Sequence, residues 1–194
     1  MRSVIVVLIG AMVLAAAYIG SLFGSVNALS RAVRDGDAGA VIARTDVPRL
    51  RASLTGQIAE AVLEAQGRRR VLSPMERSVI GGVVVSVVDD VVALALDPAA
   101  LTAALRSGRL PPDLGLDLPT LPTLTSFDTS RLGESFGRID LYRINEFSLR
   151  LSDSPDPEAR AAIRLRFSAF GWKLSGIELP RNLLRRLADN LSRR

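Results

Sequence analysis

The adjacent pair Asp89-Asp90 and the next-but-one pair Asp35 and Asp37 come nearest to residues that could do chemistry. Two close carboxylates can share a proton or hold a divalent cation. Such spacing alone specifies neither role, and neither segment resembles a calcium-binding loop, so turn and surface roles account for both. The chain contains no His and no Cys. It therefore lacks the side chain suited to proton transfer near neutral pH, and with it His-based triads, thiolate nucleophiles, disulfides and the usual zinc sites. A carboxylate hydrolase would need Asp89 or another acid in an apolar pocket with a raised pKa. Catalysis is thus disfavoured, no catalytic residue is assigned, and no cofactor or metal is expected. The residues left for ligand contact are Trp172, the only tryptophan, with Asp89 and Asp90. Asp46 and Arg51 form a structural motif with Trp172, in which an Asp46 to Arg51 contact fixes the start of a helix.

These residues must be positioned by elements that follow an unusual beginning. Ser3 to Ser30 carries no charged side chain, and Val4 to Phe23 is almost wholly apolar. That length meets the roughly 20 apolar residues needed to cross a bilayer. A single-pass anchor with its amino terminus in the cytoplasm is one reading; a signal peptide cleaved after Ala15-Ala16-Ala17 is the other. Both export the rest. Residues 1–30 are thus read as anchor or signal peptide, residues 31–181 as an α+β domain, and residues 182–194 as a basic C-terminal helix.

A short helix through Val26, Leu29, Ala32 and Val33 should stop at Asp35-Gly36-Asp37, and another should span Ala38 to Arg44. Asp46 is placed as an N-cap with Pro48 in the first turn, opening a helix with a stripe of Leu50, Leu54, Ile58, Ala61, Val62 and Ala65 that Gly67 ends. Arg68-Arg69-Arg70 follows. Ser73-Pro74-Met75-Glu76 is a capping box. Its helix, apolar from Val79 to Leu96 apart from Ser86 and Asp89-Asp90, is too interrupted by acid for an ordinary second span. Its acids should face water or an arginine. Asp97-Pro98 restarts a helix through Leu101 and Leu105.

Between Gly108 and Gly133, Pro111, Pro112, Pro119 and Pro122 predict an irregular lasso. Three alternating strands follow, carrying Phe147 to Leu151, Ile163 to Phe167, and Trp172 to Leu179, with a bulge near Ser175-Gly176. They form an antiparallel meander that the preceding helices cover on one face. Asn182 should cap the last helix, whose leucines lie opposite a crowd of arginines and which can dock on its own domain or lie on an anionic membrane.

Basic side chains number 25 and acidic ones 20, a modest excess without the concentrated patch and aromatic partners that nucleic acid would need. No nucleic-acid partner is expected.

Tyr18 with Ser21, then Leu29, Ala32, Gly36-Asp37, Asp46-Val47-Pro48, Leu50-Arg51 and Leu54, together with Phe170-Gly-Trp-Lys-Leu174 and Ile177-Glu-Leu-Pro180, resemble the bacterial family called domain of unknown function 2939. The resemblance spans about residues 15 to 181. Leu22 follows Ser21, where the family pattern places a proline soon after the tyrosine. The resemblance implies an exported, membrane-attached bacterial protein and supplies no activity. Helices on a curved sheet ending in a Trp-containing strand are also similar in architecture to the cone-shaped fold of nuclear transport factor two.

The expected function is a noncatalytic, membrane-tethered periplasmic domain that binds a protein or envelope component. The alternative is a small apolar ligand or lipid in a cone-shaped cavity between sheet and helices, closed by Trp172; the partner in either case is the membrane with an envelope protein or a lipid. The first predicts an exposed apolar patch and the second an apolar pocket.

Overall fold

The apolar beginning folds as the first half of one unbroken helix, α1 (Arg2–Asp35). The computed structural model describes residues 2–69, 73–109, 123, 139–143, 145–151, 156–168 and 171–191. Within α1, Val4 to Leu14 are exposed, whereas Leu22, Val26, Leu29 and Val33 are buried. Their four-three-four spacing puts them on one helical face. The helix thus passes from a stretch with no protein around it into the core without a break. The short separate helix expected from Val26 is its continuation: Gly24 and Ser25 are weak helix formers, but the burial of Leu22, Val26 and Leu29 on one face carries the helix through them. Gly36 ends it with φ +73, a left-handed cap at which Gly36 N–H bonds Val33 O and Asp37 N–H bonds Ala32 O. A side chain at Gly36 would carry the strain of that φ and crowd Arg106.

Helix α2 (Ala38–Ala43) is capped by Asp37. Helix α3 (Val47–Arg69) runs two residues past Gly67, which is not among the glycines with positive φ. Helix α4 (Pro74–Ala95) carries the capping box read from Ser73 and Glu76. Helix α5 (Pro98–Ser107) starts at Asp97. The proline-rich stretch 108–133 lies outside the described residues apart from Gly108, Arg109 and Thr123.

The sheet is an antiparallel meander in the order β1-β2-β3-β4. Its strands are β1 (Ile139–Arg143), β2 (Glu146–Arg150), β3 (Ala162–Ser168) and β4 (Gly171–Glu178). The three expected strands are joined by a fourth at the outer edge. Ser175 is the extra residue of a bulge, since Arg164 pairs with Gly176 while Leu165 pairs with Leu174. Register puts Phe147, Leu149, Ile163, Leu165, Phe167, Trp172, Leu174 and Ile177 on one face. That face shares a core with the buried half of α1, with Val88 and Val92 of α4, and with Leu101 and Leu105 of α5. The last helix, α6 (Arg181–Leu191), docks on its own domain by Leu183, Leu187 and Ala188. It starts directly after Pro180, whose carbonyl accepts from Leu183 and Leu184 N–H. Asn182, the expected cap, is therefore inside the first turn, two residues after Pro180. The fold class is α+β, as the patterning implied.

Strand β4 would expose a free edge, and two devices close it. Asp46 N–H bonds Leu174 O at 2.8 Å and Leu174 N–H bonds Arg44 O at 2.9 Å. Farther along, the Gln57 side-chain amide donates to Ile177 O at 2.8 Å and accepts from Leu179 N–H at 3.1 Å. Helix α3 is thereby held against the sheet edge.

Candidate functional site

Asp89 faces α3, where Arg51 and Thr55 lie one turn apart. Arg51 Nε donates to Asp89 Oδ1 at 2.7 Å and Nη2 to Oδ2 at 2.5 Å, and Thr55 Oγ1 adds a third bond at 3.1 Å. The bidentate bond from Arg51 holds the Asp89 carboxyl below its ordinary pKa, and the Thr55 bond acts in the same direction, outweighing burial. The same bond raises Arg51. An acid held ionised in this way is a fixed charge and cannot donate a proton near neutral pH. Asp90 is exposed. Asp46 turns to its own helix: its Oδ1 accepts from Arg49 N–H at 3.3 Å, and its Oδ2 lies 3.0 Å from Arg49 Nε. Arg51 thus belongs with Asp89, and Asp46 with Arg49.

Trp172 is buried, and its Nε1–H donates to Ser21 Oγ of α1 at 3.0 Å. Around it stand Tyr18, Phe147 and Phe167, with ring centroids 5.2, 5.0 and 5.2 Å from its own and edge or near-edge geometry. This cluster clasps α1 where its exposed apolar half enters the domain. Gln57 and Thr55 were not singled out by sequence, and Tyr18 entered only through the resemblance. The Tyr18-Ser21 pair at one end of the resemblance and Trp172 at the other were the available signal for the clasp.

A different group of residues forms an apolar cavity of about 100 Å³. Leu54 and Ile58 of α3, Val91, Val92 and Ala95 of α4, and Leu101, Ala104 and Leu105 of α5 line its helical side. Leu151, Ala161, Ile163 and Ile177 close the sheet side, with Leu183 and Leu187 of α6. Glu178 is its one ionisable lining residue, and it is bonded to Arg164 at 2.9 Å. Trp172, Asp89 and Asp90 are not part of this lining. A hydrocarbon-lined space of this size stays dry and takes a small apolar group; a 150 Å³ cavity of the same kind takes benzene. A whole lipid is too large for it. Among the described residues no group of three or more carboxylates, histidines or cysteines converges on a metal-sized space.

Outside the cavity, α4 presents a second apolar feature. Met75, Val79, Val83 and Val87, four residues apart, are each more than half exposed, and so is Leu94. Both α1 and α4 are long and apolar enough to cross a membrane.

No curated protein and no solved structure matches the chain. Residues 11–104 match the model of a family described as "Protein of unknown function (DUF2939)". That match takes in α1 from its exposed apolar stretch onward, α2 to α4, the Arg51–Asp89 pair and the start of α5. Over this stretch, a little under half of its length, the chain is similar to the DUF2939 family.

Proposed function

We propose that the protein is a noncatalytic binding domain tethered to a bacterial inner membrane by the exposed half of α1, with residues 31–181 and the basic helix after them in the periplasm. Its ligand is a small apolar molecule, or the end of an apolar chain, seated between the sheet and α3 to α6. The observation that carries this reading is the cavity: about 100 Å³ of space with an almost wholly aliphatic wall. Tethering is supported by the uncharged run from Ser3 to Ser30 and by its exposure from Val4 to Leu14.

The test uses benzene and xenon as probes of the full chain in detergent. A ligand at 100 times its dissociation constant stabilises the folded state by about 2.7 kcal/mol. Saturating benzene is expected to raise the unfolding midpoint of the wild type and to leave Ala95→Leu and Ala104→Leu, which fill the space, unchanged. Equal shifts in all three proteins would refute binding at this cavity.

A second reading rests on the exposed stripe of α4: an envelope protein docks on Met75, Val79, Val83 and Val87. Val83→Asp is then expected to keep the fold and to lose the ability to complement a deletion strain. Full complementation by Val83→Asp contradicts docking there.

A further inference from the structure

A groove distinct from the aliphatic cavity runs beside α1 just after its exposed apolar half. It encloses about 450 Å³ and is lined by Ser21, Gly24, Ser25 and Ala28 of α1, Ala43 and Arg44 after α2, and Gly171, Trp172 and Lys173 of β4. From this we infer that it binds the phosphate headgroup of an anionic phospholipid in the membrane that holds α1, an inference that rests on the tethered reading above.

Charge, space and depth each favour that ligand. Two of the lining residues, Arg44 and Lys173, are cationic and none is acidic. Lys173 is the only lysine in the chain. The salt bridges among the described residues engage Arg49, Arg51, Arg68, Arg164 and Arg185, leaving Arg44 and Lys173 without a carboxylate. Arg44 Nη1 is steadied by the Ala40 carbonyl at 3.0 Å, which holds the guanidinium in place without neutralising it. A side chain built at Gly24 would meet nothing within 4 Å, so the α1 wall of the groove is open. The Ser25 hydroxyl and the Arg44 guanidinium are the donors a phosphodiester needs, since Ser21 already gives its hydroxyl hydrogen to the Tyr18 carbonyl at 2.7 Å.

Depth follows from helix geometry. Ile19 is the last strongly exposed apolar residue of α1. At 1.5 Å per residue, Ser21 to Ala28 lie about 3 to 14 Å farther along the axis. The polar headgroup layer extends roughly 5 to 8 Å beyond the hydrocarbon on each side. The near half of the groove therefore sits in that layer when the exposed half of α1 is in hydrocarbon. Tyr18 and Trp172, packed 5.2 Å apart beside it, are the residue types that mark this boundary.

Trp172 also makes the test direct, because it is the only tryptophan and lines the groove. The full chain is reconstituted in phosphatidylcholine vesicles containing a minor fraction of brominated phosphatidylglycerol, or the same fraction of brominated phosphatidylcholine. Two cations at an anionic surface give an enrichment on the order of tenfold. Quenching of Trp172 by the brominated anionic lipid should thus exceed quenching by the zwitterionic one. The excess should vanish in Arg44→Gln/Lys173→Gln, checked for folding by its unfolding midpoint. Gly24→Leu, which keeps both cations and blocks the groove, should remove the excess even if the double variant fails to fold.

Equal quenching by the two lipids in protein that floats with the vesicles overturns the headgroup site alone. Protein that does not float overturns the tethered reading as well. Absence of the excess together with a rise in the unfolding midpoint on adding inorganic phosphate at constant ionic strength, lost in Arg44→Gln/Lys173→Gln, overturns the lipid as the source and identifies free phosphate as the ligand.

Discussion

At the scale of single residues, the Arg51–Asp89–Thr55 contact shows how one charge is accommodated on an otherwise aliphatic helix. Asp89 lies next to the buried Val88 on α4, and three donor groups from two residues of α3 meet its carboxylate. Its pKa is lowered in the folded state, so the bond stabilises the protein above the unfolded carboxyl value of about 3.9. That contribution is lost as pH falls through the lower folded value. Asp89→Asn is therefore expected to unfold at lower urea than wild type at neutral pH, with the gap closing under acid. Urea midpoints measured across pH check this, and a gap that persists in strong acid would contradict it. For Trp172, truncation to Ala removes the ring that clasps α1 and should cost about 3–5 kcal/mol. Trp172→Phe loses chiefly the bond to Ser21, about 1 kcal/mol. Equilibrium unfolding of the two variants separates the parts.

At the scale of elements, local signals marked starts better than ends. Ser73 with Glu76 and Asp97 with Pro98 each opened a helix where read, because a cap is decided by a few neighbouring residues; Asp37, read only as part of a helix stop, also caps α2. Gly67 did not close α3, since a glycine ends a helix only where the chain takes a positive φ, and there it does not. Strand β1 escaped the alternation count because it follows the proline-rich stretch and offers only Ile139 and Leu141 as alternating aliphatic residues. The Ser175 bulge was legible from the break in alternation at Ser175-Gly176. Contacts between distant elements were not legible. Arg51 pairs across 38 positions and Gln57 across 120, and local spacing carries no information at such separations. Gln57 is the sharpest case, since its amide replaces a missing strand at the β4 edge. Gln57→Leu leaves a carbonyl and an N–H unpaired and should cost about 1–3 kcal/mol. Amide hydrogen exchange at Leu179 should accelerate in that variant while exchange at Leu165, in the sheet interior, changes less.

At the scale of the whole molecule, one helix serves two media. The exposed half of α1 suits hydrocarbon, and the following residues Leu22 to Val33 are part of the protein core. Sequence suggested a boundary near residue 30 because charges begin at Arg31; packing joins the two environments earlier, between Tyr18 and Leu22. A chain beginning at residue 25 would lack Leu22, Ser21 and Tyr18, and with the last two the α1 partners of Trp172. It should be less stable than one beginning at residue 16 by about 2–5 kcal/mol for the lost Leu22 alone. Thermal unfolding of the two chains compares them. The apolar space between sheet and helices was an alternative in the sequence reading, and Trp172 was expected to close it. Trp172 instead seals the α1 end of the sheet, and the space is bounded by aliphatic residues of α3, α4, α5 and α6. No periodicity distinguishes a leucine that fills a core from one that lines a void.

Binding in that void is most directly tested by native mass spectrometry of the full chain, expressed with its own N-terminal segment and released gently from detergent micelles. The wild type should carry a reproducible extra mass that disappears on denaturation, and Ala95→Leu and Ala104→Leu should not. A bare wild-type mass, or the same adduct on all three proteins, would contradict a ligand seated between the sheet and the helices.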